Sequence, residues 1–412
     1  MSFFDSRWVP CPQHVEELRD GGLPAGFRAG AAAAAIKSIG VLDVGLLVCD
    51  AEAAVSAARF TRSGVLAAPV IATRDHARTD ALRVVVANSA NANAATGEPG
   101  MAVAIGMQRA AGDAAGVGAE QVAVASTGVI GVALDGERVA DGIVQAAAAL
   151  RADGDADFNA AIMTTDAFGK RASLLVHLPS GDVRLSAQAK GAGMIEPNFA
   201  TMLCFMQTDA ALSPATADLL LGVCVKRSFD RISVDGQLST NDTAILMCSG
   251  ASGVRVEPQS DDERAFGLAL DALLRMLALL MVRDGEGARR VGRVVVRGGD
   301  HDDVERCARA VANSPLVKTA LHGADPNWGR IAQSVGMAMA YAEPLALDID
   351  IEGIAVCRDG VAVPYDARAL NDAVLGDEVE YAVGLPGEGA ETEVFFSDLG
   401  HGYVTINAEY TT

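Results

Sequence analysis

The tightest constraint on this chain lies between Lys190 and Thr208. Lys190-Gly191-Ala192-Gly193-Met194-Ile195-Glu196-Pro197 carries paired glycines and a proline, which neither a helix interior nor a central strand tolerates. Thr201 to Thr208 is then apolar and reads as a buried strand. A turn must therefore deliver Thr201 to the head of a strand. Taken alone, this is the ordinary place of a core or edge residue.

Composition narrows the partners. The chain has 412 residues, half of them hydrophobic and 43 of them glycine, enough for two or three domains and a turn-rich α/β or α+β fold. A formal net charge of −20 repels phosphate backbones, so no nucleic acid partner is expected. An acidic substrate stays compatible, because one lysine can dominate a small pocket. Cys11, Cys49, Cys204, Cys224, Cys248, Cys307 and Cys357 are odd in number and form no C-x-x-C pair. They read as reduced, mostly buried thiols of a cytoplasmic protein. The six histidines stand apart from each other and from the cysteines, so no metal site is expected. Met1-Ser2-Phe3-Phe4-Asp5 lacks the basic and apolar regions of a signal peptide. Leu268 to Val282 is the most apolar helix candidate; Asp271 and Arg275 interrupt it, which suits a core helix and not a membrane span.

Along the chain, residues 1–25 read as an irregular lead-in. Val44 to Cys49, Val84 to Val86 and Val122 to Ala125 read as short buried strands. Helices are expected over Met101 to Ala114 and Glu137 to Ala152. Ala172 to Leu178 and Val183 to Ala187 form a hairpin through Ser180-Gly181-Asp182. Ser213-Pro214 starts a helix, with serine as cap and proline at its first position, that runs to Arg227. A further helix covers Glu263 to Val282. Val294-Val295-Val296 opens a C-terminal part, with a helix from Val304 to Ala312 and an antiparallel sheet from Leu347 to Ile351, Val379 to Val383 and Glu393 to Phe396. The apolar pattern running almost to Thr412 argues for a docked tail. The asparagine-rich loop Asn88 to Ala94 is expected to satisfy buried backbone groups with its amides. Ser126-Thr127-Gly128-Val129-Ile130-Gly131 is open to two readings: a strand-to-loop turn that needs glycine for positive φ, or an oxyanion hole of hydroxyl and backbone N–H.

Lys-Gly-Ala-Gly-Met-x-x-Pro-x-x-Ala-Thr-Met-Leu from Lys190 to Leu203 resembles the processing site of the ornithine acetyltransferase family, the glutamate N-acetyltransferases called ArgJ. The resemblance recurs along nearly the whole chain. It covers Gly26-Phe27-Arg28-Ala29, the Asn88 to Ala94 loop (with Ala90 where glycine is usual), Ser126 to Gly131 and Met163-Thr164-Thr165-Asp166. It continues through Val234-Asp235-Gly236 with Ser239-Thr240-Asn241-Asp242, Asp284-Gly285-Glu286-Gly287, Asn313-Ser314-Pro315 and Asp325-Pro326-Asn327-Trp328-Gly329, where Trp328 reads as a packing residue. Departures are Gln237 and Leu238 for an aspartate and a small residue, Arg289-Arg290 for Thr-Lys, and Thr411 for arginine.

The resemblance implies an αββα sandwich with a smaller C-terminal α/β part, spanning roughly 1–290 and 291–412. It also implies self-cleavage between Ala200 and Thr201 into chains 1–200 and 201–412, assembled as a heterotetramer or larger. Thr201 is implied as nucleophile, Thr127 and Gly128 as oxyanion hole, and Glu286 as active-site glutamate. Substrate contacts are implied for Thr164 or Thr165, for Lys190, Asn407 and Thr412. The implied reaction moves acetyl from N-acetylornithine to glutamate with no metal or organic cofactor; use of acetyl-CoA stays open. A threonine hydroxyl needs a base, and cleavage supplies one, an α-amine titrating at about 7.7–8.0. Rival readings are an N-terminal-nucleophile amidase or aminopeptidase, a secondary-metabolism acyltransferase with another acceptor, and a non-catalytic binding protein of the same fold.

Overall fold

Strands Val44–Cys49, Val84–Asn88 and Leu203–Thr208 are buried at every residue. Uninterrupted burial means that each of their sheets is covered on both faces. The computed structural model, which describes residues 2–19, 21–196, 202–340 and 343–409, shows what covers them. A four-stranded sheet runs in the order Phe27–Ala32, Val44–Cys49, Val84–Asn88, Val122–Ser126. A six-stranded sheet runs Val15–Glu17, Lys170–Leu178, Gly181–Lys190, Leu203–Thr208, Thr243–Cys248, Val55–Phe60.

Side-chain alternation along each strand sorts residues into layers. Leu203 and Phe205 join Val85, Ala87, Ala123 and Ala125 in a core between the two sheets. Their neighbours Cys204 and Met206 point the other way, onto helices Pro214–Arg227 and Asp261–Arg283. Val84 and Val86 face helices Gly97–Ala115 and Gly136–Ala148. The order is helix, sheet, sheet, helix, the expected αββα sandwich. Asp261–Arg283 is long and apolar enough to cross a bilayer, but Phe266, Leu270, Leu273, Leu277 and Met281 are fully buried in the core beneath it.

A third sheet has seven strands, in the order Ile232–Ser233, Glu391–Ser397, Val291–Arg297, Glu378–Gly384, Asp348–Ile351, Ile354–Arg358, Val361–Ala362. The strands expected there are present, but the sheet is mixed. Val291–Arg297 is antiparallel to Glu391–Ser397 and parallel to Glu378–Gly384. The parallel pair needs a long crossover, and helices His301–Ala312, Pro315–His322 and Trp328–Ala338 lie in it. Trp328 packs against their core, as expected.

Other expectations shift. The lead-in contributes strand Val15–Glu17, paired with Leu174–Val176. The helix from Glu137 stops at Ala148, and a separate helix, Asp155–Ile162, follows. Its Phe158 sets its ring edge against Phe205, centroids 5.6 Å apart. The tail forms helix His401–Glu409, which has no buried residue but docks on the body where Gly402 meets Gly287 and where Asn407 Nδ2 donates to the Glu286 carboxyl. Six of the seven cysteines are buried; Cys11 is exposed.

Candidate active site

The amides of the Asn88 to Ala94 loop build the wall that carries the Ser126 to Gly131 turn. Asn88 Nδ2 donates to the Asn91 carbonyl at 3.0 Å, and Asn91 Oδ1 accepts from the Asn93 N–H at 2.7 Å. Asn93 Nδ2 reaches the Gly100 carbonyl, and Asn241 Nδ2 bridges the carbonyls of Ala92 and Ser126 at 2.7 and 2.9 Å. The backbone of this loop is contorted: Ala90 has φ +74° and Asn93 +46°. A left-handed alanine is costly, which explains why glycine suits this position better.

Against that loop lies the turn after strand Val122–Ser126. Gly128 has φ +133°, and a Cβ there would stand 2.2 Å from the Ala90 carbonyl carbon. Both facts require glycine. Lys190, at the end of strand Gly181–Lys190, is 2 % exposed and donates from Nζ to Thr127 Oγ1 at 3.0 Å. Burial pushes this ammonium below its ordinary range, and Asp166 is the largest of the charges that oppose the shift. With its oxygen occupied by Lys190, the Thr127 hydroxyl is free to direct its own proton elsewhere.

The Asp166 carboxylate accepts from the Thr164 N–H at 3.0 Å and the Gly191 N–H at 2.7 Å. It thereby joins the two-threonine loop to the lysine-glycine stretch. Burial disfavours its charge, but Lys190 and Lys170 outweigh burial and hold its pKa at about 2. Glu286 docks on the same stretch, its N–H donating to the Ala192 carbonyl at 3.0 Å. Its carboxyl accepts from Asn407 Nδ2 at 2.7 Å and packs so closely on Gly193 that a Cβ there would meet it at 2.6 Å. Asp235 holds the next two residues, accepting from the N–H groups of Met194 at 2.6 Å and Ile195 at 3.0 Å. Burial pushes the Asp235 carboxyl up. Beyond residue 201, Asp242 Oδ1 accepts from the Met202 N–H at 2.9 Å.

These elements enclose a cavity of about 250 Å³. Thr127, Gly128, Thr164, Thr165, Lys190, Glu286 and Asn407 all line it, so both threonines of the pair reach it. Ala200, Thr201 and Thr412 lie outside the described residues. Gln237 lines the cavity, whereas Leu238, the other departure in that loop, does not. The sequence reading gave no role to Asp235, Ser239, Thr240, Asn241 and Tyr403, which also line it. Four of these stood in matched segments, yet nothing local distinguishes a wall residue from a turn residue. Tyr403 had no signal beyond the apolar tail. Among the described residues no cluster of three His, Cys, Asp or Glu side chains could hold a metal.

Known proteins are similar to this chain over most of its length. A family model described as the ArgJ family matches residues 28–412. The arginine biosynthesis bifunctional protein ArgJ of Symbiobacterium thermophilum is 43% identical over 398 residues, 95% of this chain and 99% of that protein. Its namesake from Geobacter sulfurreducens is 43% identical over 392 residues, covering 94% and 99%. A crystal structure of ornithine acetyltransferase complexed with ornithine, from Mycobacterium tuberculosis, is 34% identical over 46% of this chain and all of that one, at a TM-score of 0.41. Matched from residue 28 to its last residue and over nearly the full length of these relatives, the chain belongs to the ArgJ family.

Proposed function

We propose that this protein is a glutamate N-acetyltransferase of arginine biosynthesis. It cuts its own chain between Ala200 and Thr201, takes acetyl from N2-acetylornithine onto Thr201, and passes it to glutamate. The observation that carries this reading is the convergence of Thr127, Gly128, Thr164, Thr165, Lys190, Glu286 and Asn407, from widely separated stretches, on one cavity. The relatives' shared name, arginine biosynthesis bifunctional protein ArgJ, supports it.

In the first half-reaction the freed Thr201 amine takes the hydroxyl proton, and the oxygen attacks the acetyl carbonyl. Thr127 Oγ–H and the Gly128 N–H receive the oxyanion, with Lys190 behind the hydroxyl. The amine returns its proton to the departing ornithine nitrogen, leaving an acetyl ester. In the second half the glutamate amine attacks that ester, and its surplus proton passes to the same base as the Thr201 hydroxyl is restored. Carboxyl groups of Glu286 and Asp235 at the cavity wall supply acceptors for a substrate ammonium. The same ester is reachable from acetyl-CoA, which would add N-acetylglutamate synthase activity.

Chains 1–200 and 201–412 would stay together after the cut. Strand Gly181–Lys190 lies before it and pairs with Leu203–Thr208 after it, Lys190 opposite Leu203. Two such pairs would complete the heterotetramer, in the cytoplasm.

Intact mass of the purified protein tests the scheme. Two fragments divided at Ala200–Thr201 are expected, with one acetyl group added to the second after incubation with N-acetylornithine alone. Thr201→Ala should give one uncut, inactive chain. An active Thr201→Ala protein, or steady release of acetate without glutamate, would refute the transferase.

A further inference from the structure

Beneath the cavity lies an ion triad that the scheme above does not use. Lys170 begins strand Lys170–Leu178 and is fully buried. Its Nζ donates to Asp166 Oδ1 at 2.7 Å and to Asp284 Oδ2 at 2.5 Å, and lies 4.9 Å from the centre of the Phe168 ring. Stripping water from three ionic groups costs several kcal/mol per ion before their attraction offsets it. Apolar residues often fill such a space at equal or lower cost, so bulk stability gives little reason for this triad.

Its carboxylates show what that is, because each is also spent on loop backbone. Asp166 accepts from the Thr164 and Gly191 N–H groups, and both oxygens of Asp284 accept from the Ala167 N–H, at 3.2 and 3.0 Å. Asp284 stands two residues before Glu286. One ammonium thus joins the stretches that carry Thr164 and Thr165, Lys190, and Glu286, while Lys170 itself does not line the cavity.

We propose that Lys170 is a positioning residue for acyl transfer: by bridging Asp166 and Asp284 it sets the mutual placement of those three stretches and keeps a carboxylate beside Lys190, behind the Thr127 hydroxyl. The proposal rests on the acyl-transfer reading given above. The charges facing the triad are few. Asp166 is held ionised by Lys190 and Lys170, and its charge also reaches Lys37. Lys190 faces Asp166, Lys170, Asp242 and Glu286. Burial raises Asp284, with Lys170 opposing.

Lys170→Met keeps the length and removes the charge. Two buried carboxyl groups would then share one proton. Per acetyl-accepting site, kcat for transfer from N-acetylornithine to glutamate should fall about 100-fold, the cost of roughly 1 Å of misplacement. KM should stay within about threefold, since the cavity wall keeps its residues. The pH profile of kcat should gain a falling alkaline limb where the shared proton is lost, which a lesion of stability alone would not produce. A crystal structure of the variant should show Thr164, Lys190 and Glu286 displaced relative to one another. If Lys170→Met does not fold, Asp284→Asn, which still accepts from Lys170, should show a smaller displacement of the same three groups and a kcat loss of about tenfold. Unmoved loops with kcat within twofold of wild type would overturn the proposal. A wild-type protein inactive on N-acetylornithine would sink the acyl-transfer reading instead, and the loop displacement would still decide the role of Lys170.

Discussion

Gly128→Ala separates what the proposed oxyanion turn does from what any tight turn does. The new Cβ would lie 2.2 Å from the Ala90 carbonyl carbon and 2.5 Å from both the Ala90 oxygen and the Asn91 nitrogen. These are backbone atoms fixed by the asparagine amides, so no flexible side chain can yield. Restoring van der Waals contact moves the turn by about 1 Å, and φ of +133° adds about 1–3 kcal/mol of strain. A shift of that size at a reacting centre costs about 100-fold, and loss of an oxyanion donor about 2.7–4 kcal/mol. The expected result is a kcat reduced by about 100- to 1000-fold, slower chain cleavage, and a stability loss of about 2–3 kcal/mol. Gly116→Ala is the control. Gly116 also has positive φ, +70°, at the end of helix Gly97–Ala115, but its Cβ would meet no atom within 4 Å. It should cost about 1–2 kcal/mol in urea unfolding and leave kcat unchanged. A folded Gly128→Ala with kcat within threefold of wild type would refute the reasoning, as would an equal loss of activity in Gly116→Ala.

Two further changes address the same region. Ala90→Gly relieves a left-handed alanine at φ +74° and should raise stability by about 1 kcal/mol, read as a higher urea midpoint. Asp242 is buried and its carboxyl is held well above the usual range, so between pH 4 and that raised value the folded chain keeps a proton the unfolded chain has lost. Its contribution to stability therefore falls as pH rises. Asp242→Asn retains an oxygen for the Met202 N–H but cannot titrate, so the variant should gain on wild type as pH rises above the ordinary carboxylate range; urea midpoints that stay parallel across pH would contradict this.

The sandwich was legible because its strands are short, apolar throughout and bounded by turn residues, and because the helices between them keep their periodicity. Ser213-Pro214 marked a helix start to the residue, and the serine caps the Thr216 N–H. The break at Ala149 to Gly154 was not legible. An alanine-rich run favours helix, and what ends it is tertiary: the Arg151 N–H pairs with the Ala29 carbonyl of the neighbouring strand. Parallel pairing in the third sheet was hidden for a similar reason. Alternation reports which face is buried, not the direction of the neighbouring strand. Among the residues that line the cavity, those in unusual motifs were singled out by the sequence. Asp235, two places before the flagged Gln237, was passed over because a solvated turn and a buried acceptor look identical in sequence.

What the loops share explains both the strength and the blindness of the sequence reading. The segments that meet at the cavity are irregular, so their N–H groups have no ladder to join and must find other acceptors. Carboxylates meet that need at each junction. Asp43 takes the N–H groups of Ala34, Ile36 and Lys37, Asp166 those of Thr164 and Gly191, Asp235 those of Met194 and Ile195, Asp242 that of Met202, and Asp284 that of Ala167. A net charge of −20 is thus not only a soluble surface; part of the acidic complement is internal and structural. Asp43, Asp242 and Asp284 are buried and the Asp166 side chain has no exposure, and where Lys170 bridges Asp166 and Asp284 the placement of both is fixed. Glycine and proline make the loops possible, aspartate makes them rigid, and the threonines and the glutamate that face the cavity are aimed by that rigidity.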